Sequence, residues 1–262
     1  MSKTVVVTGA TNGTGYAIAR RFAQEGYNVC ITSRSAENAR TAAEQLAAEF
    51  EGIKTFGYGL EVKNEEQVIA MFDELKAADC MVDALVMNAA NMGLGLDGYF
   101  DMKFEDWWRV VETNLGWNFM FAREAARHMK EKGQGAIVAI GSITAVRSIK
   151  NRSAYTVSKS ALHGLARALA IELAPYGIRT NTLVAGTIKT ARWHANPTIK
   201  FSPHSKNPML DSAEFEDIAN GAYFLCSDQA RFINGIEMPV DGGMLAQMCY
   251  EENGLDLKQY KT

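Results

Sequence analysis

A single α/β domain, with a doubly wound parallel sheet covered by helices on both faces, is the fold class predicted by three features of the 262-residue sequence. Short apolar runs of strand length alternate strictly with stretches of helical periodicity, the pattern of βα units. Two of the runs, 83–87 (apolar after its opening Asp83) and 136–140, are short apolar runs, as strands buried on both faces are. No Pro/Gly/Ser-rich linker, internal repeat or low-complexity tract divides the chain, so residues 1–262 read as one unit.

The elements follow in order. Strand 5–8 leads through a glycine-rich turn into helix Gly13–Gln24, and strand 28–32 comes next. Helix 36–50 sets Ala39, Ala43, Leu46 and Phe50 on one stripe. Segment 53–58 is a weaker strand, and Glu65–Ala77 is an amphipathic helix. Between strands 83–87 and 136–140 the periodicity predicts one long helix over 104–132, ended by Gly133. Helix 154–174 is stopped by Pro175 and Gly177, and strand 178–184 and helix 213–226 follow. Segment 190–210 has no clear period and holds Pro197, Pro203 and Pro208. A loop that long inside one domain is usually functional. It is expected to close a substrate pocket, together with the tail 244–262.

Bulk composition excludes several classes. Hydrophobic residues at 47% and charged residues at 22% are the balance of a globular domain with a substantial core. A net charge of −3 leaves no electrostatic footprint for nucleic acid or an anionic membrane. No apolar run approaches the roughly 18–20 residues of a bilayer span. Cys30, Cys80, Cys226 and Cys249 form no C-x-x-C pair and read as reduced thiols of a cytoplasmic protein. His128, His163, His194 and His204 lack metal-ligand spacing, and no metal site is expected.

The first strand runs into Thr8-Gly9-Ala10-Thr11-Asn12-Gly13-Thr14-Gly15, immediately before a helix. Glycines there let the backbone approach a pyrophosphate, whose charge the helix N-terminus stabilises. The second strand ends Ile31-Thr32-Ser33-Arg34, with no acid to bind a ribose 2′-hydroxyl. Arg34 instead suits a 2′-phosphate, and a charge-assisted bond favours that cofactor by roughly 10- to 150-fold. NADP(H) is therefore favoured, with NAD(H) the alternative.

Tyr155 and Lys159 stand four apart on a helix and project from one face. A neighbouring ammonium favours the phenolate, so the pair predicts a tyrosine whose pKa is lowered towards working range. Ser142 lies just past strand 136–140, at the strand end where parallel sheets bind ligands.

With these residues in place, the chain resembles the short-chain dehydrogenase/reductase family over nearly its whole length. The resemblance is carried by the glycine turn, Asn88-Ala89-Ala90, Asn114, Ser142, Tyr155 with Lys159, Asn181, Gly186-Thr187-Ile188, Thr190 and Val240-Asp241-Gly242-Gly243. It implies a Rossmann-type domain with a parallel seven-stranded sheet. Tyr155 would be the general acid/base, Ser142 would bind the substrate oxygen, and Lys159 would hold the nicotinamide ribose while acting on Tyr155. Asn114, within the long helix, would help hold a water linking Lys159 to solvent. Gly9, Thr11, Asn12, Gly13, Thr14, Gly15, Ser33, Arg34, Glu61, Val62, Asn88, Gly186, Ile188 and Thr190 would line the cofactor.

The chain departs from the family pattern at several points. Met87 and Ala90 replace the outer residues of N-N-A-G, Glu61 replaces an Asp, and Ala185 replaces a Pro. Asn12 stands where many NADP-preferring members carry a basic residue.

The activity implied is interconversion of a secondary alcohol and a ketone. The apolar residues of 190–210 and of the tail favour a hydrophobic substrate such as a hydroxysteroid or bile acid. The alternative is 3-oxoacyl-acyl-carrier-protein reduction, with Arg123, Arg127, Lys130 and Lys132 docking an acidic carrier. A third reading, a non-catalytic dinucleotide sensor, is disfavoured because Tyr155 and Lys159 are both present. The family's habit implies a homo-oligomer, tetramer or dimer.

Overall fold

The computed structural model describes residues 2–93, 98–190 and 207–247. Its sheet is built from β1 (Thr4–Thr8), β2 (Asn28–Ser33), β3 (Thr55–Gly59), β4 (Ala84–Met87), β5 (Gly135–Ile140), β6 (Ile178–Ala185) and β7 (Glu237–Val240). All seven strands are parallel, in the order β3-β2-β1-β4-β5-β6-β7. Sequence order therefore reverses between β1 and β4. The carboxyl ends of those two strands flank the crevice where open α/β sheets bind ligands.

The helices are α1 (Gly13–Gln24), α2 (Ala36–Glu49), α3 (Glu65–Ala77), α4 (Phe104–Val111), α5 (Trp117–Lys132), α6 (Ser153–Glu172) and α7 (Phe215–Cys226). They divide by face because strand side chains alternate. Val5, Val7 and Val29 pack with Ile18, Phe22, Leu46 and Ile218 of α1, α2 and α7. Val6, Leu85 and Ile137 pack with Phe72, Phe121 and Leu162 of α3, α5 and α6. Each fully buried phenylalanine contributes about 1.5–3 kcal/mol.

The structure differs from the sequence expectations in two places. The helix expected over 104–132 is two helices joined by a π turn, Glu112–Gly116, which widens the coil by one residue. β7 is a strand that no apolar run announced. Its Glu-Met-Pro-Val sequence breaks the pattern because it is an edge strand, where Pro239 need not donate to a neighbour. Asn181 of β6 fixes the approach to it, donating to Ile233 O at 2.9 Å and accepting from Ile236 N at 3.1 Å.

Among the described residues no helix is long and apolar enough to cross a membrane, and no group of His, Cys, Asp or Glu is arranged to hold a metal. Cys30, Cys80 and Cys226 are buried free thiols, and burial pushes Cys30 well above the usual thiol range. Trp193, His194, Ile199 and Phe201 of the expected covering loop, and Met248, Cys249 and Tyr250 of the tail, lie outside the described residues. Of the other expected pocket walls, Met209 and Leu210 are exposed and Met244 is buried.

Candidate active site

β1 and β4 end side by side and are pinned together. The Thr8 hydroxyl accepts from the Asn88 and Ala89 amides, each at 3.0 Å, and Asn88 Nδ2 donates to Thr8 O and Gly9 O, each at 3.0 Å. Gly9 takes φ +64°, in the left-handed region that favours glycine. A Cβ on Gly15 would lie 2.4 Å from Gly9 O and 2.6 Å from Asn88 Nδ2, so only glycine lets α1 start this close to the strand ends. Thr11, Gly13 and Thr14 are half-buried around the turn, and Asn12 is exposed. The Asn12 side chain caps nothing, and the first turn of α1 carries no acid. A turn of bare amides with no competing carboxylate fits a pyrophosphate.

The other expected cofactor residues border the same strand ends. Ser33 closes β2, and Arg34 beside it is exposed with no ion pair among the described residues. Glu61 is exposed, its amide donating to Gln67 Oε1 at 2.8 Å, and Val62 is half-buried. Gly186 lies against Asp241, Ile188 bridges to Ala213, and Thr190 N donates to Ile188 O at 2.8 Å. The donor set and the bare cradle together fit a nicotinamide dinucleotide.

Ser142, Tyr155 and Lys159 come together at the end of β5. The Ser142 hydroxyl accepts from Thr144 N at 3.2 Å and Thr144 Oγ1 at 2.9 Å, which aims its own hydrogen at Tyr155. Lys159 is buried, donates to Ile140 O at 2.6 Å, and lies 5.8 Å from the Tyr155 ring centre. Burial lowers Lys159 to about 8.

The expected lowering of Tyr155 is reversed in this structure. Burial raises the phenol, and the Ser142 hydrogen bond and the Arg152 charge only partly oppose it. The phenol is therefore protonated at neutral pH, the state of a proton donor.

Asn114 is fully buried in the π turn rather than in a regular helix. Its side chain clamps one residue, Asn91, accepting from Asn91 N at 2.6 Å and donating to Asn91 O at 2.9 Å. Its amide also donates to Ser158 Oγ at 2.9 Å. Its backbone carbonyl also accepts from Asn118 Nδ2 at 2.8 Å.

Sequence reasoning missed Arg152, which donates to Met92 O at 2.9 Å and Gly93 O at 3.1 Å beside Tyr155. The signal was its position one turn before Tyr155. It also missed Arg147, whose guanidinium donates to Met244 O, Leu245 O and Gln247 O at 2.6–3.1 Å. No local pattern announces that clamp, because its partners are backbone carbonyls a hundred residues away.

A groove of about 610 Å³ lies away from this site, between α4, α5 and α6, lined by Trp108, Val111, Leu115, Phe119 and Leu165, with Val62 at its edge. Three of the four basic residues on α5 have acidic partners: Arg123 pairs with Glu65 and Glu124, Arg127 with Glu124, and Lys132 with Asp83, while Lys130 lies over the Tyr176 ring.

Comparison with known proteins agrees with this geometry. Residues 9–245 match the family model described as Enoyl-(Acyl carrier protein) reductase. The chain is 33% identical over 244 residues to 3-oxoacyl-(acyl-carrier-protein) reductase FabG of Aquifex aeolicus, covering 92% of this chain and 97% of that protein. Among solved structures, gluconate 5-dehydrogenase of Burkholderia cenocepacia, in complex with NADP and tartrate, superimposes with a TM-score of 0.87 at 27% identity, covering 94% and 97% of the two chains. NAD+-bound xylitol dehydrogenase gives 0.86 at 27% identity, covering 92% and 98%. With its parallel seven-stranded sheet and this match, the chain belongs to the short-chain dehydrogenase/reductase family and is an NAD(P)-dependent oxidoreductase.

Proposed function

We propose that the enzyme interconverts a secondary alcohol and a ketone, with Tyr155 as general acid/base. The observation that carries this reading is the convergence of the Ser142 hydroxyl, the Tyr155 phenol and the buried Lys159 amine at the end of β5, beside the β1–β4 crevice. A bound nicotinamide would exchange the hydride with the substrate carbon. Ser142 and Tyr155 hold the substrate oxygen between them, and Tyr155 donates its proton there during reduction. In oxidation the phenolate takes the proton from the alcohol. Lys159 brings positive charge to the phenol and offers N–H groups to the cofactor's ribose. Asn114 holds the segment around Asn91 against α6, which fixes one wall of the site.

The chemistry of the relatives points away from a hydroxysteroid and towards 3-oxoacyl thioesters or small polyhydroxy compounds. The thioester reading is favoured by the 33% identity to a FabG protein. It does not draw on a carrier-docking stripe on α5, because three of those four cations already pair with carboxylates. A panel of 3-oxoacyl thioesters, keto-sugar acids, ketoses and steroid ketones, followed by loss of reduced-cofactor absorbance, tests the proposal. Turnover of at least one ketone is expected, and no oxidation of cofactor by any of them would sink it.

NADP(H) is the proposed cofactor because Arg34 is exposed at the end of β2 where a 2′-phosphate would lie. Arg34→Ala should weaken NADPH binding by about tenfold or more and leave NADH nearly unchanged, the loss of one charge-assisted bond. Titration of both cofactors by fluorescence checks this, and an equal loss for the two would remove Arg34 from the site. A homo-oligomer is also proposed. Its support is the apolar outer face where Phe104, Trp108, Phe119 and Val157 are exposed together with the groove. A monomer in sedimentation at micromolar concentration would refute that assembly.

A further inference from the structure

Lys159 and His163 stand one turn apart on α6 and reach the same peptide unit at the end of β5. Lys159 Nζ donates to Ile140 O at 2.6 Å. The imidazole of His163 lies against the next α-carbon, so close that a Cβ on Gly141 would sit 2.2 Å from Nε2. Gly141 immediately precedes Ser142, so the imidazole, the amine and the Ser142 loop meet at one point.

The chemistry of the ring is fixed from its other side. His163 Nδ1 lies 3.0 Å from Glu237 Oε2 on β7, and Arg167 ion-pairs with the same carboxylate. An ionised carboxylate can only accept, so Nδ1 carries the hydrogen and Nε2 presents a lone pair. His163 is 3% exposed, and Nε2 has no hydrogen-bond partner among the described residues. A buried lone pair left bare is costly, so a donor or a water should reach it. An ammonium has three N–H groups, and Ile140 takes only one from Lys159.

We propose that His163 is a positioning residue for Lys159: its Nε2 accepts from a water that a second N–H of the Lys159 ammonium holds, and helps keep that amine protonated beside Tyr155. The inference rests on the role given to Lys159 above. The charged groups facing the imidazole are Glu237 from β7 and Lys159 and Arg167 from α6 itself. Burial, with the charges of Lys159 and Arg167, outweighs Glu237 and holds His163 below its ordinary pKa, so the ring is neutral at neutral pH. A purely structural histidine would use only Nδ1, tying α6 to β7, and would ask nothing of Nε2.

Two measurements separate these readings. In the full-length protein labelled with 15N-histidine, Lys159→Met should move the His163 Nε2 resonance towards that of a free lone-pair nitrogen and leave Nδ1 in place. An unmoved Nε2 overturns the proposal. Because this readout needs no turnover, it stays decisive even if no substrate is found. His163→Leu weakens the amine's hold on its proton, so the Lys159 amine, followed by its 15N resonance in lysine-labelled protein, should release its proton at lower pH. That titration midpoint should move to lower pH by about one unit, the worth of one lost hydrogen bond to a charged group. His163→Gln, whose amide oxygen can accept, should restore most of it. A His163→Leu titration that superimposes on the parent would also overturn the proposal, and the His163 resonance decides if that variant does not fold.

Discussion

Tyr155→Phe should lower turnover by at least about 10²-fold, the lower end of what a positioned general acid contributes. The affinity for the cofactor should stay within a few-fold, because the substitution removes one hydroxyl and leaves the β1–β4 crevice and the Lys159–Ile140 bond in place. Steady-state kinetics with direct titration of the cofactor separates the two effects. Burial holds the phenol protonated at neutral pH, so in the mechanism proposed above reduction starts from the competent state while oxidation must wait for the phenolate. The parent's oxidation rate should therefore climb with pH through the neutral range. Turnover of Tyr155→Phe within a factor of two of the parent would remove this residue from the mechanism.

The second large effect is on stability. Lys159 falls from an ordinary 10.5 to about 8 when buried, a difference worth about 3 kcal/mol, to order of magnitude. Below pH 8 the folded and unfolded chains both carry the proton, and the fold bears the full cost of a desolvated cation. Between about pH 8 and 10.5 the folded protein has released its proton while the unfolded chain still holds one. Stability attributable to this group therefore rises with pH across that window. Lys159→Met lacks the rise. Urea unfolding of both proteins at pH 8 and pH 10 should show the parent gaining about 2 kcal/mol over the variant. Parallel curves would mean that the amine is not desolvated in the fold.

Much of this arrangement was legible in the chain. The apolar runs at β1, β4, β5 and β6 and the stop at Gly133 announced their elements, because burial on both faces and helix termination leave local marks. The placing of the glycine turn, Ser142, Tyr155 and Lys159 at one end of the sheet was legible for the same reason: each proposed role demands a residue type at a fixed spacing. β7 was hidden because an edge strand tolerates proline and a charge. The sign of the Tyr155 shift was hidden because spacing reveals a neighbour but not the loss of water around it. Arg147 and the His163–Glu237 pair join residues far apart in sequence, where no local pattern reaches.

The widened turn at Glu112–Gly116 acts like a slipped tooth in a gear. One extra residue in a coil of 3.6 residues per turn swings everything beyond it by about 100°. Upstream, Trp108 is left looking outward; downstream, Trp117 and Phe121 are delivered to the sheet. A single helical rod could not serve both directions at once, and the slip is also what sinks Asn114 into the wall of the reaction chamber. Removing one residue there would cost the enzyme its outer aromatic face or its inner one, whatever happened to the chemistry.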